Sequence, residues 1–416
     1  MAEYVINPLC LIAITPVLLG SWGGGGLGVW YLYLALASIA GTFAAGIIPP
    51  VLRRAASARA LNAQYAPMVE PILAAAIAIA LTVGFSAAAI SIVYLAALPE
   101  ASVGVASREV DLVMLALLIH SVSDSADAVA VSMLRASEKF RASAIIELLG
   151  RALFYACPFV VATLGESAVF GILGAASASV VRPIVRMTAV LVITKARITL
   201  PRWSVAMELL ADVKWTWIAS AGAFGYLIVD KMLVASLFSS IELAAYGVAA
   251  QLATQVQALP AAALGAMVPR VSRAYQMHAA AESFKLMKRG IVESVAIASV
   301  LLFALLLFGD DLLKIWVGTE MAAAAWPILL ALGVSAWLQS FSISPYFTLM
   351  GAGGFRALAV VGLLAAMASL IGMAVGGMIY ALIGMAIGRS AYGLVSLAYF
   401  AFAIPKINAH LEGGQK

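Results

Sequence analysis

The stretch Phe224–Tyr275, FGYLIVDKMLVASLFSSIELAAYGVAAQLATQVQALPAAALGAMVPRVSRAY, decides how the rest of the chain is read. Two apolar runs flank a short polar break, Ser239-Ser240-Ile241-Glu242. A bilayer core takes roughly 20 apolar residues per helix, so the stretch reads as a transmembrane hairpin. Its first run holds an adjacent acid and base, Asp230 and Lys231, and its second closes on Pro269 with Arg270 and Arg273. Charges inside a membrane helix are costly, and their presence marks a functional site by default.

The second run of the hairpin is echoed near the N-terminus. At a shift of 219, Gly28, Gly46, Pro50 and Arg54 meet Gly247, Gly265, Pro269 and Arg273. At a shift of 215, Leu134, Phe140, Arg141 and Ala142 meet Leu349, Phe355, Arg356 and Ala357. Two echoes in one order and at nearly one offset indicate duplicated halves. Both shifts keep a helix on the same side of the membrane, so the repeats are parallel.

Composition agrees. The chain has 416 residues, 64% of them hydrophobic and 11% charged, with a mean hydropathy of +1.05. That places it among polytopic membrane proteins. The net charge of +5 comes without a basic stripe interleaved with aromatics, so nucleic acid is not an expected partner. Cys10 and Cys157 lie in separate apolar runs, and neither a disulfide nor a metal site is expected of them. The N-terminus lacks the basic start and small-residue cleavage site of a signal peptide, so the first span reads as retained.

The pattern predicts an all-α protein with about twelve spans, near 4–20, 27–52, 70–98, 110–134, 140–163, 168–193, 211–238, 242–269, 284–308, 322–348, 356–376 and 379–404. The longest polar connection carries Lys195, Arg197, Pro201 and Arg202, which divides the chain into residues 1–195, a linker 196–212 and residues 213–416. Loops after even-numbered spans carry most of the basic residues, among them Arg53, Arg135, Lys195, Arg270 and Arg356. Loops after odd-numbered spans are mostly acidic, with Glu100, Glu109, Glu166, Asp310 and Glu320. The positive-inside rule then puts both termini in the cytoplasm. Tyr246 and Trp203, Trp215, Trp217, Trp316 and Trp326 read as interfacial anchors. The glycine-rich Ser21–Gly26 lacks the Lys-Ser/Thr ending of a phosphate loop and reads as a flexible outer turn.

Several charged residues lie inside the spans. His120, Asp124 and Asp127 fall at i, i+4 and i+7, on one helix face, among Ser121, Ser123 and Ser125. They are candidates for a proton relay and for a polar cavity wall. Glu147 and Arg151 form an i, i+4 pair in the favourable order. Arg182 and Arg186 lie in the cytoplasmic half of their span, where snorkelling of Arg186 to the interface is expected. Arg389 is about nine residues into the last span, near the midplane at ~1.5 Å per residue, and should face the interior. Asp230 and Lys231, being adjacent, diverge by about 100° around a regular helix, which argues against a simple pair between them. No Ser-His-Asp spacing, zinc motif or Walker motif is present, so no catalytic residue or cofactor is assigned.

The duplicated halves, Asp230-Lys231, Tyr246-Gly247, Pro269 with Arg273, and the helix starts Phe140-Arg141 and Phe355-Arg356 together resemble the polysaccharide transporter family. Its members are flippases of lipid-linked oligosaccharides, in the superfamily that also holds multidrug exporters and the peptidoglycan-precursor flippase. The resemblance implies two six-helix lobes around a central cavity, in an inner-membrane protein working by alternating access. It implies a polyprenyl-diphosphate-linked glycan as substrate, membrane lipids as surroundings, and glycan polymerase or glycosyltransferase machinery as partners. Such a substrate needs cations for its diphosphate, for which Arg151, Lys231 and Arg389 are candidates, and polar space for its sugars, for which the serines of the fourth span with Asp124 and Asp127 are candidates; Asp230 is a further candidate cavity residue. With no nucleotide site, transport would draw on an ion gradient or the membrane potential. Two other readings stay open: a cation-coupled multidrug exporter of the same fold, and a membrane-embedded glycosyltransferase or polymerase.

The charge pattern is directly testable. Reporter fusions after Val103 and Glu166 should report an outer location, and fusions after Ala60, Met277 and Gln415 a cytoplasmic one. An outer reading at Met277 would overturn the span count.

Overall fold

The computed structural model describes residues 2–60, 65–98, 107–265, 267–277 and 280–413. Glu100 and Val103 lie outside them, as do the side chains of Trp215, Pro269 and Arg273. Among the described residues the chain forms sixteen helices and no strand. In order they are α1 (Ala2–Ala45), α2 (Ile48–Ala60), α3 (Tyr65–Ala97), α4 (Ser107–Ala136), α5 (Phe140–Thr163), α6 (Ala168–Ser179), α7 (Val181–Thr194) and α8 (Trp203–Leu227). Then come α9 (Val229–Leu237), α10 (Ser240–Leu264), α11 (Met267–Gln276), α12 (Ala280–Val317), α13 (Thr319–Gly351), α14 (Phe355–Gly388), α15 (Ser390–Ser396) and α16 (Tyr399–Gly413). It is a polytopic all-α membrane protein.

Nine helical stretches among the described residues are long and apolar enough to cross a membrane. The difference from the expected spans has local causes. Cys10–Ala55 is one such stretch but contains Gly23 at φ 66° and ψ −177°, a conformation essentially confined to glycine. The break separates the expected spans 4–20 and 27–52. The hairpin quoted at the outset is not among the nine. Its first arm is interrupted at Ile228, between α8 and α9, and Gln251, Gln255 and Gln257 lower the hydropathy of α10.

The glycine-rich Ser21–Gly26 is not a loose turn, contrary to the sequence reading. It is helical on both sides of Gly23. The Trp22 indole donates from Nε1 to the Glu166 carbonyl at 2.9 Å, and its ring lies where a side chain on Gly171 would point.

The chain divides into two compact units, Met1–Ser220 with Ala235–Ala244, and Ala221–Val234 with Ala245–Lys416. In the first, Ala235–Ala244 joins because the Ser240 backbone closes on Gly28, leaving no room for a Cβ. An apolar core runs through Ile47, Val51, Leu73, Val129, Leu134, Leu209 and Val213. It packs α2 and the start of α8 against α3 and α4. Arg53 and Arg54 of α2 meet Asp212 of α8, each at 2.9 Å, and Arg54 also reaches Glu208 at 2.9 Å.

The second unit is built on α12 and α13, with the α14 hairpin beside them. Helix α14 doubles back at Tyr380 and Ala381 with no loop. Its arms meet through two reciprocal glycine pairs, Gly376 with Gly384 and Gly372 with Gly388, each packed against the other's carbonyl. Small residues four apart let membrane helices approach closely, and here they bring together the two arms of one hairpin. Ala381 carries the reversal at φ 49° and ψ −136°, a strained conformation for a residue with a Cβ.

This hairpin predicts opposite effects at neighbouring positions. Gly376→Val or Gly388→Val should destabilise the protein by about 1–3 kcal/mol through overpacking. Ala381→Gly should stabilise it by about 1 kcal/mol, the strain relieved exceeding glycine's added chain entropy. Thermal unfolding in detergent reads both; a neutral Gly376→Val would refute the packing.

Candidate functional site

In the first unit, α4, α5 and α7 each contribute charges to one buried network. The i, i+4, i+7 spacing of α4 does set His120, Asp124 and Asp127 along one face. Helix α5 supplies Glu147 and Arg151, whose Nε and Oε1 lie 2.6 Å apart. Helix α7 supplies Arg182 and Arg186, one turn apart. Arg182 bonds Asp124, and its Nη1 lies 3.1 Å from Glu147 Oε1. Arg186 bonds Asp127, donates to Glu147 Oε2 at 2.6 Å and donates to the Ser143 carbonyl at 3.0 Å. The Arg182 stem crosses α5 at Gly150, where any Cβ would collide with it.

The network corrects the reading of Arg186. It is fully buried and does not snorkel. Snorkelling exchanges poor surroundings for the interface, but two carboxylates and a carbonyl within the unit meet its donors instead. Three carboxylates face three guanidiniums, so with His120 neutral the network carries no net charge.

His120 stands at one end. Its Nδ1 lies 2.9 Å from the Tyr33 hydroxyl and its Nε2 lies 3.4 Å from Asp124 Oδ2. With Tyr33 donating, Nδ1 accepts and the ring proton sits on Nε2, toward Asp124. Phe154 packs edge-on against the ring at 5.3 Å, and Trp30 stacks beyond, between Tyr33 and Phe154. Asp124 keeps 22% of its side chain exposed, whereas Asp127 is buried and held by Arg186. The three residues of the expected relay therefore have different surroundings: His120 and Asp124 are in contact, and Asp127 belongs to the arginine end.

The second unit holds the other cluster. Asp230 sits in the first turn of α9, just past the break at Ile228. Its Oδ1 accepts the Lys231 backbone N–H at 2.7 Å and lies 3.5 Å from Lys231 Nζ. Its Oδ2 accepts the Tyr246 hydroxyl at 3.1 Å and lies 3.3 Å from Arg389 Nη1. Asp230 and Lys231 thus do pair. At a helix start the carboxylate turns back on its own backbone, as capping groups do, and the long lysine reaches it there. Tyr246 is likewise no interfacial anchor: it is fully buried and holds Asp230. Asp230 and Arg389 are 1% and 4% exposed at their side chains, and Lys231 is 21% exposed. Arg389 follows directly on the Gly372–Gly388 contact, and Ser369 donates to its carbonyl at 3.5 Å.

Of the three expected cations, Arg151 therefore belongs to the network of the first unit, and Lys231 and Arg389 to the cluster of the second. The members the sequence reading missed are Arg182, Arg186, Tyr33 and Tyr246. The i, i+4 spacing of Arg182 and Arg186 was the available signal. It matches two carboxylates three apart on α4. Among the described residues no group of three or more His, Cys, Asp or Glu is placed to hold a metal ion.

The network makes a stability prediction. Arg186→Met strands Asp127, while Glu147 keeps Arg151 and Arg182, and should cost about 3–5 kcal/mol. Adding Asp127→Leu should recover part of that loss, giving a coupling of about 1–3 kcal/mol in a double-mutant cycle. Additive effects on thermal unfolding would show that the pair does not interact.

No family model matches the sequence, and no curated protein does either. Solved structures do match. One is the inward-facing conformation of a multidrug resistance MATE family transporter of the MOP superfamily, at TM-score 0.77 and 14% identity, covering 99% of this chain and 95% of that one. The outward-facing conformation of a MATE family transporter gives TM-score 0.62 at 13% identity, covering 99% and 94%. The lipid II flippase MurJ, in an inward closed conformation, gives TM-score 0.72 at 13% identity, covering 97% and 86%. The chain therefore has the fold shared by MATE transporters of the MOP superfamily and the lipid II flippase MurJ.

Proposed function

We propose that this protein is an alternating-access flippase that moves a polyprenyl-diphosphate-linked oligosaccharide across the inner membrane, with both termini cytoplasmic. One observation carries the reading: Lys231 and Arg389 both meet the carboxylate of Asp230. Two cations converging on one point suit an anionic ligand. Lys231, the most exposed of the three, makes first contact with the diphosphate. Arg389 offers a planar fork for it once Asp230 yields one of its bonds. The likeness to a lipid II flippase supports a lipid-linked substrate. The sugars meet the polar face of α4, and the tail stays in the bilayer.

His120 and Asp124 form the coupling element in this reading. A proton taken up by the imidazole puts a positive charge between Tyr33 and a carboxylate already bonded to Arg182. That unbalances a neutral network and gives an ion gradient a place to act. The chemistry is transport rather than catalysis, and the flanking partners are the enzymes that build and polymerise the glycan.

A multidrug exporter is the second reading. It is favoured by the aromatic group Trp30, Tyr33, Phe154 and Tyr155 beside the partly exposed Asp124, which suits an apolar cation. The two readings separate on Lys231.

Lys231→Gln should lower glycan-lipid translocation in proteoliposomes by about 10- to 100-fold, the loss of one charge-assisted bond. Arg389→Lys should keep the fold and lose part of the transport, while Arg389→Ala should lose stability as well, because Asp230 is left buried. Full glycan-lipid transport by Lys231→Gln would remove Lys231 from the diphosphate site, and no glycan-lipid transport by the unaltered protein would overturn the flippase reading. Export of a cationic dye that survives Lys231→Gln and fails in Asp124→Asn would establish the drug-exporter reading in its place.

A further inference from the structure

Helix α7 ends at Thr194, the last residue of the candidate span Ala168–Thr194. The chain then runs to Trp203 without regular structure, as Lys195-Ala196-Arg197-Ile198-Thr199-Leu200-Pro201-Arg202. Every residue from Arg197 to Ser204 is exposed. Exposure is ordinary for a loop, but this one is apolar where loops are polar. Leu200 is 89% exposed and Trp203 75%, and Ile198 is also exposed. The pattern continues the outer face of α7, where Ile184, Val185, Val192 and Ile193 are exposed in turn. In a membrane protein that face meets lipid, and a tryptophan at its end is typical of the headgroup level.

Three basic residues are interspersed with the apolar ones. On α2 of the same unit basic groups find partners: Arg53 is bonded to Asp212, and Arg54 to Asp212 and Glu208. Among the described residues no ion pair involves Lys195, Arg197 or Arg202, and all three side chains are exposed. The segment is nonetheless held in place. The Arg197 backbone N–H donates to Glu70 Oε1 at 2.9 Å. Leu209 and Val213 of α8 are buried in the core of the first unit, so both ends of the loop are fixed to it. A fixed loop alternating apolar and cationic side chains, directly beyond a membrane span, has the chemistry of an interfacial anchor.

We propose that residues 195–203 bind the anionic phospholipid headgroups of the leaflet that borders them. Ile198, Leu200 and Trp203 enter the acyl boundary. Lys195, Arg197 and Arg202 take lipid phosphates, with Arg in the bidentate manner and Lys as a point charge. The inference rests on the membrane class of the chain and not on the substrate proposed above. Its consequence is a linker tied to the membrane plane, so that α7 and the start of α8 keep a fixed depth.

The test uses the full-length protein in lipid nanodiscs, with Trp203→Phe as the reference that isolates the Trp203 fluorescence. Brominated phosphatidylglycerol and brominated phosphatidylcholine are compared at equal low mole fraction. Trp203 should be quenched by both, and more strongly by phosphatidylglycerol. Each basic residue near an anionic leaflet is worth about five-fold in local enrichment. The triple variant Lys195→Gln, Arg197→Gln, Arg202→Gln should therefore lose the preference by more than ten-fold while keeping the quenching itself. No Trp203-specific quenching by either lipid would place the loop in water and overturn the proposal. Equal quenching of the parent protein by the two lipids would remove the headgroup site. Reversal of the quenching by stoichiometric soluble pyrophosphate at constant ionic strength would make the loop a diphosphate site and overturn the leaflet assignment.

Discussion

The Glu147 carboxylate meets three guanidiniums at once, those of Arg151, Arg182 and Arg186. Much of the first unit depends on this meeting. An ion buried in a low-dielectric interior loses several kcal/mol of hydration, and only close partners with good geometry offset it. The charges of Asp127, Arg182 and Arg186 are therefore tolerable only while α4, α5 and α7 stay together. The network acts as a condition on assembly: α7 cannot slide by one turn without exchanging the partners of Arg182 and Arg186. Gly150 belongs to the same condition, because the Arg182 stem passes through the space its missing side chain leaves.

The second unit meets the same constraint by different means. Its buried charges are few, and irregular backbone places them. The break at Ile228 starts a new helix at α9, which lets Asp230 accept its neighbour's backbone N–H and still reach Arg389 and Tyr246. The reversal at Ala381 and the two glycine pairs carry Arg389 to that carboxylate. Broken helices at membrane depth are tolerated where the freed backbone groups find partners or a polar lining. Here the break and the polar cluster coincide.

How much of this was legible in the sequence follows from the range of the forces involved. Class was legible, because apolar transfer energies sum residue by residue along a span and need no tertiary knowledge. The Glu147–Arg151 pair was legible, because i, i+4 geometry is local. The fate of Arg186 was not, since its partners lie 39 and 59 residues away. Tyr246 carried the composition of an interfacial anchor, and only the position of Asp230 shows that its hydroxyl is used inside. The pairing of Asp230 with Lys231 was misjudged by assuming a regular helix where the chain starts a new one. The glycines of α14 were visible as two Gly-x-x-x-Gly repeats, Gly372 with Gly376 and Gly384 with Gly388. Their meeting across a loopless turn was hidden, because a reversal at an alanine leaves no mark in composition.

The two clusters differ in what an incoming charge would do to them. In the first unit each carboxylate has a guanidinium of its own or shares one closely. An added anion must displace a carboxylate, and an added cation must displace an arginine. Coulomb attraction at 3 to 4 Å amounts to several kcal/mol even at an effective dielectric of about 20, so such exchanges are slow to favour. A proton on His120 is the exception: it goes on Nδ1, so the Tyr33 hydroxyl must turn from donor to acceptor, but no carboxylate–guanidinium pair is broken. In the second unit Asp230 already serves two cations and a hydroxyl, and each of its bonds is weakened by the sharing. On the proposed reading, an anion there shares the two cations with Asp230. On the proposed reading, the neutral network would answer to a proton and the Asp230 cluster to an anion, which would give each unit a ligand chemistry of its own. Coupling between two such sites then requires that each ligand bind the two conformations of the transporter with different affinity.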